Sequence, residues 1–239
     1  MSRIALFALL LTLMAAAPTA AQTPARDLEV VLILGAPGTG EYGQRFAAQV
    51  KAWKAACAKA TVPVQVIGET TQGDDLTSLE STLKAATAKP SGQLWLVWIG
   101  HGTYDGREAK FNLRGPDVSP KQVAEWLQPL QRELVVIETA SASAPFLTAL
   151  AGPKRLIVSA TKGADEVFYT RFGEFFAPAI GGLPEADLDQ DRQVSILEAF
   201  LFASKKAGEF YEQEGRLATE HALIEDNGDG TGTRAEVFS

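Results

Sequence analysis

A histidine set between glycines, Gly100-His101-Gly102, directly follows the apolar run Leu94–Ile99 (LWLVWI). An imidazole there has an accessible ring and can exchange a proton near neutral pH, so His101 can act as a general base. The plainer reading is a turn histidine that caps backbone groups. A second apolar run, Leu134–Ile137, opens into Glu138-Thr139-Ala140-Ser141-Ala142-Ser143, a turn of small side chains headed by a carboxyl. A third group is acidic. Asp187, Asp189 and Asp191 fall at places one, three and five of a twelve-residue stretch ending at Glu198. Gln193 would offer its carbonyl at place seven and Ser195 its hydroxyl at nine, while Glu198 stands at twelve, the bidentate place of an EF-hand calcium loop. Val194 puts an apolar side chain at eight. Arg192 occupies place six, where the sharp turn favours glycine and a positive charge opposes a cation, so the expected binding is weak. The same residues allow another account: Ser195 and Glu198 form a capping box for the next helix, and the aspartates are a solvated turn at its positive end.

The elements that must position these groups follow from hydrophobic spacing. Leu28–Leu34, Val62–Ile67, Leu94–Ile99, Leu134–Ile137 and Arg155–Ser159 read as buried strands. Glu41–Ala58, with Phe46, Val50, Trp53 and Cys57 on one face, reads as a helix. Asp74–Lys89, Ser119–Leu130 and Ala144–Leu150 are further helices, and Glu108–Leu113 is a hairpin arm after the turn at Tyr104-Asp105-Gly106. Strands alternating with helices predict a three-layer α/β sandwich around a mainly parallel sheet. Beyond Ala160 the pattern changes to loops and helices, Phe172–Ile180 and Ser195–Glu214, with His221 in a C-terminal helical stretch. No repeat or linker calls for a second domain.

In a sheet of this kind chemistry belongs beyond the carboxyl ends of the strands. There the sequence resembles the caspase–legumain superfamily of cysteine peptidases. WLVWIGHG is similar to the block that ends in the histidine, and LVVIETASAS to the block that ends in an acidic residue, a small residue and the nucleophile. RLIVSATKGADEVF is similar to the fifth strand and specificity loop. The resemblance runs from about Leu28 to Ala203. It implies that fold, with His101 at the dyad histidine, Glu138 and Thr139 lining the cleft, and Ala140 where the thiol should stand. An alanine methyl has neither lone pair nor titratable proton, so covalent acyl transfer loses its nucleophile. The chain's single cysteine, Cys57, lies on an apolar helix face. The expectation is a pseudopeptidase whose residual cleft binds a peptide or protein. The alternative is a hydrolase in which Ser141 or Ser143 attacks with His101 as base.

Several function classes drop out. Gly35-Ala36-Pro37-Gly38-Thr39-Gly40 lies between a strand and a helix, where a phosphate loop would, but Glu41 and Tyr42 stand where lysine and a magnesium-binding hydroxyl are needed, so no nucleotide is expected. A net charge of −7 argues against sequence-independent nucleic-acid binding. One cysteine excludes a disulfide framework within the chain. Arg3, the apolar run Ile4–Ala17 and Thr19-Ala20-Ala21 read as a signal peptide cleaved after Ala21, which predicts a periplasmic or secreted protein. The domain then spans 22–239. The run is shorter than the roughly 20 residues that cross a bilayer as a helix, so no membrane association is expected after cleavage. Glu225-Asp226-Asn227-Gly228-Asp229-Gly230 is a weaker acidic signal; its Asn-Gly and Asp-Gly steps read as ordinary turns rather than as an EF-type spacing.

Overall fold

A computed structural model describes residues 27–70 and 74–238; the leader read at 1–21 lies outside them. In chain order the elements are β1 (Leu28–Leu34), α1 (Gly40–Ala60), β2 (Val64–Ile67), α2 (Asp75–Thr87), β3 (Gln93–Ile99), β4 (Gly102–Tyr104), β5 (Ala109–Phe111), α3 (Pro120–Trp126), β6 (Glu133–Glu138), α4 (Ala144–Leu150), β7 (Arg155–Ser159), α5 (Phe172–Ile180), α6 (Ile196–Gln213), β8 (Leu223–Glu225) and β9 (Thr233–Arg234). Seven strands form one sheet in the order β2-β1-β3-β6-β7-β8-β9. The first five are parallel; β8 and β9 are added antiparallel at one edge.

The central strands are apolar on both sides because both faces are covered. Helix α1 buries Phe46, Val50, Trp53 and Cys57 against one face, in a layer with Phe172 and Phe176 of α5 and Phe200 of α6. On the other face Leu79 and Leu83 of α2, Val123 of α3 and Phe146 of α4 pack with Trp98. The three-layer sandwich expected from the sequence is the architecture found.

Two segments differ from the spacing-based reading. The helix expected over Ser119–Leu130 ends at Trp126. Ser119 caps it, with Gln122 completing a capping box and Pro120 in its first turn, and Pro129 disfavours helical backbone at Gln128. The stretch around His221 is irregular rather than helical, and it runs into β8, a strand of three residues too short to announce itself by alternation.

From β1 the chain crosses to β2 on one side and then returns to β3 on the other. The winding therefore reverses between β1 and β3, and an open α/β sheet places its binding crevice outside the carboxyl ends at such a reversal. Among the described residues no helix is long and apolar enough to cross a membrane.

Candidate functional site

The reversal brings the loop after β1 beside the loop after β3. Leu34 and Ile99, the last residues of the two strands, are in register, so the glycine-rich turn that lacks phosphate-loop chemistry lies against Gly100-His101. The Pro37 carbonyl of that turn is 3.3 Å from His101 Nε2. A carbonyl can only accept, so in the neutral ring Nε2 carries the hydrogen and Nδ1 keeps the lone pair. The ring packs edge-on to Tyr42, with centroids 4.6 Å apart, and to Phe46 at 5.1 Å, while Tyr169 lies 5.9 Å away. Burial among these rings pulls the imidazole below its ordinary pKa, against a smaller upward pull from the Pro37 carbonyl. His101 is thus a half-buried, neutral imidazole.

The turn after β6 meets the same place from the next strand. Thr139 donates its hydroxyl hydrogen to the Trp98 carbonyl at 2.6 Å and its own carbonyl accepts from the Thr170 hydroxyl at 2.5 Å. Ala140 is 1% exposed and packs in the layer of Trp98 and Phe146, the layer opposite to Phe46. The Ser141 hydroxyl donates to the Gly102 carbonyl at 2.9 Å and accepts the Gly102 amide at 3.1 Å. A methyl on Gly102 would overlap the Ser141 carbonyl oxygen, so this glycine lets the two strand ends touch. Ser143 is shared with Thr161, hydroxyl to hydroxyl at 3.0 Å, and also accepts the Thr161 amide at 3.0 Å. Among the described residues no hydrogen bond joins either serine to the His101 ring.

Glu138 is wholly buried. One carboxyl oxygen accepts the Ala140 amide at 3.0 Å and the other has no partner. Burial raises its pKa to about 8, which the Ala140 amide lowers only in part. The carboxyl is therefore protonated at neutral pH and serves the turn from beneath rather than facing the crevice. The sequence brought His101, Glu138, Thr139, Ala140 and Ser141 to one locality, and the fold assembles them there. Ser143 stands one step deeper, in the core.

Spacing alone could not show the groups that hold this locality together. Glu166 sits under the 140–143 turn: its main-chain oxygen accepts the Ala142 amide at 2.8 Å, and its carboxylate is 2.5 Å from His221 Nδ1 and accepts the Lys162 and His221 amides. His221, for which the sequence suggested no partner, is thereby part of the scaffold. Arg45 and Arg171 both reach Glu174, at 3.0 and 3.2 Å, around Tyr169, whose hydroxyl donates to the same carboxylate at 2.7 Å. Burial, and then the Glu174 hydrogen bond, raise the Tyr169 phenol above its ordinary range. Only the in-register pairing of β1 with β3, had it been inferred, would have pointed from His101 to Pro37. The neighbouring loop leaves Val167 and Phe168 44% and 65% exposed at the rim.

The acidic loop lies apart, ahead of α6. Carboxylate oxygens of Asp187, Asp189 and Asp191 converge within 4.8 Å of one another. Arg192 adopts the left-handed backbone (φ 70°) that place six of an EF-type loop requires. Glu198 is engaged twice, accepting the Leu188 and Asp189 amides on one oxygen and the Ser195 amide and hydroxyl on the other. Ser195 and Glu198 complete the capping box, and these bonds, led by those from Ser195, hold the Glu198 pKa down to about 2. Both features read from the sequence are therefore present in the geometry: a converging aspartate set and a capped helix. The Gln193 backbone amide donates to Asp191 at 2.7 Å, which ties place seven to the aspartate turn.

A groove of about 1050 Å³ also runs along α6, lined by Leu188, Phe202, Lys206 and Phe238 among others. None of the residues gathered around His101 lines it, and its Lys206 is paired with Glu209 at 2.7 Å.

No family model matches the chain, and no curated protein matches its sequence. Solved structures similar to it include two insect caspases. Caspase-1 from Spodoptera frugiperda aligns over 84% of this chain and 87% of its own, with a TM-score of 0.50 and 10% identity. The Drosophila initiator caspase Dronc aligns over 87% of this chain and 82% of its own, with a TM-score of 0.45 and 11% identity. At such identity the likeness speaks for architecture, and it agrees with the strand order and layers described above: this chain has a caspase-like fold.

Proposed function

We propose that this protein is an exported, catalytically degenerate homologue of the caspase-type peptidases that binds a peptide or protein segment in the crevice at the ends of β1, β3 and β6. The observation that carries the reading is the state of the Ser141 hydroxyl. Both its hydrogen and a lone pair are engaged by the Gly102 backbone, and the residue is 3% exposed. Activation as a nucleophile needs the hydroxyl to give its hydrogen to a base, and here it gives it to a carbonyl. Ala140 offers no lone pair, and Ser143 is committed to Thr161. What the crevice retains is recognition: a neutral imidazole with an open Nδ1 acceptor, an aromatic wall of Tyr42 and Tyr169, and an apolar rim at Val167 and Phe168.

Two measurements test this. A fluorophosphonate probe is expected to leave the protein unlabelled between pH 6 and 9; labelling of Ser141 that disappears in His101→Ala would establish the hydrolase alternative instead. Selection from a displayed peptide library is expected to yield ligands whose affinity drops at least tenfold in His101→Ala. Ligands indifferent to that change, or none at all, would remove the crevice as the binding site.

A further inference from the structure

The hairpin loop between β8 and β9 carries the acidic stretch Glu225–Gly230, whose Asn-Gly and Asp-Gly steps read from the sequence as ordinary turns and not as an EF-type spacing; the structure revises that reading. Counted from Glu225, at the end of β8, it falls into step. Glu225, Asn227 and Asp229 take places one, three and five, the Thr231 carbonyl takes seven, Thr233 nine, and Glu236 twelve. Gly230 then stands at place six with φ 77°, the backbone that Arg192 must adopt at a cost in the earlier loop.

Spacing of this kind is not a site in itself. What distinguishes this loop is the Glu225 side chain. The residue is 1% exposed, and its carboxyl is turned into the loop, where one oxygen accepts the Gly228 and Asp229 amides at 2.5 and 3.1 Å. The second oxygen is buried and has no hydrogen-bond partner among the described residues. A buried carboxylate oxygen without a donor is costly unless a proton or a cation meets it. In the earlier loop the corresponding residue, Asp187, spends both oxygens on the Asp191 and Arg192 amides. Asp229 is exposed and near at hand, with one oxygen accepting the Thr231 amide at 2.6 Å and the other the Asn227 side-chain amide at 3.1 Å. Arg234 approaches Glu236 at 3.7 Å and competes for place twelve.

We infer that residues 225–236 form a divalent-cation site that takes calcium, with the unpartnered oxygen of Glu225 and the side-chain oxygens of Asn227 and Asp229 as its core ligands. The ligand set is hard oxygen throughout, which suits calcium over softer metals. The lone arginine and the single deeply held carboxylate argue for a dissociation constant on the order of 10⁻⁴–10⁻³ M, the range of extracellular calcium modules.

The test is calorimetric titration of the full chain with calcium chloride, with near-ultraviolet circular dichroism as the check on folding. Asp189→Ala removes the loop ahead of α6 from consideration and is expected to leave a calcium heat. Adding Asp229→Ala, a change at an exposed position, is expected to weaken that remaining affinity at least tenfold. Glu225→Gln, which keeps the shape and removes the charge, is expected to do the same. Asn227→Ala, also exposed, serves if either variant loses its fold. The inference fails if the folded Asp189→Ala protein gives no heat at millimolar calcium, or if its heat is unchanged by Asp229→Ala and Asn227→Ala.

Discussion

At the scale of single residues, the site is governed by how each hydroxyl and carboxyl is satisfied. Ser141 closes two backbone groups of Gly102 that would otherwise lie unpaired in a buried turn. Ser141→Ala is therefore expected to lower unfolding stability by about 1–3 kcal/mol, measured by denaturant titration, because a buried donor and acceptor lose their partner together. A serine held only loosely for attack would cost far less. His101 and the 138–143 turn were legible in the sequence because both follow runs too apolar to be anything but buried strands. The commitments of the two serines were not, since each depends on a partner some twenty to forty positions away, Thr161 in one case and Gly102 in the other. For the same reason Glu225 stood in the sequence only as the head of a weak acidic turn: its burial and its unpartnered oxygen cannot be read from the spacing.

At the scale of elements, the crevice exists because β3 and β6 end in backbone that can approach closely. Gly102 lies against the Ser141 carbonyl with no room for a side chain. Gly102→Ala is expected to force the two turns apart and to lower the melting temperature by several degrees, read by scanning calorimetry; an unchanged transition would mean that the turns are not in contact. The strands β1, β3, β6 and β7 were evident from continuous apolar runs, and α1 from its stripe of Phe46, Val50, Trp53 and Cys57. The shortened α3 and the hairpin of β8 and β9 were not. In the first, one proline outweighed a good helical pattern; in the second, two or three residues per strand are set by pairing with β7, not by their own alternation.

At the scale of the whole molecule, two buried carboxyls give the fold a common pH dependence. Burial raises Glu138 to about 8 and Glu220 to about 7; in Glu220 the Arg171 and Phe172 amides and the Tyr211 hydroxyl counter it in part. Each folded-state value lies above that of the unfolded chain, so the native state holds protons that the unfolded state has released. Their stabilisation is complete below the ordinary carboxyl range and is lost as pH rises through about 7 and 8. Unfolding free energy is thus expected to fall between pH 5 and pH 9, and Glu138→Gln to flatten that fall by a few kcal/mol, on the order set by a raised carboxyl pKa. Equal slopes in variant and wild type would show that Glu138 ionises freely in the native protein. The sheet's ends bear on assembly. One edge is β2, of four residues, and the other is β9, of two, closed off by the turn at Ala235–Val237. Neither offers the long row of unpaired amides and carbonyls that recruits a neighbouring strand. Among the described residues two copies of this chain therefore have little to gain by extending one sheet into the other, and any self-association is expected to run through helices and loops.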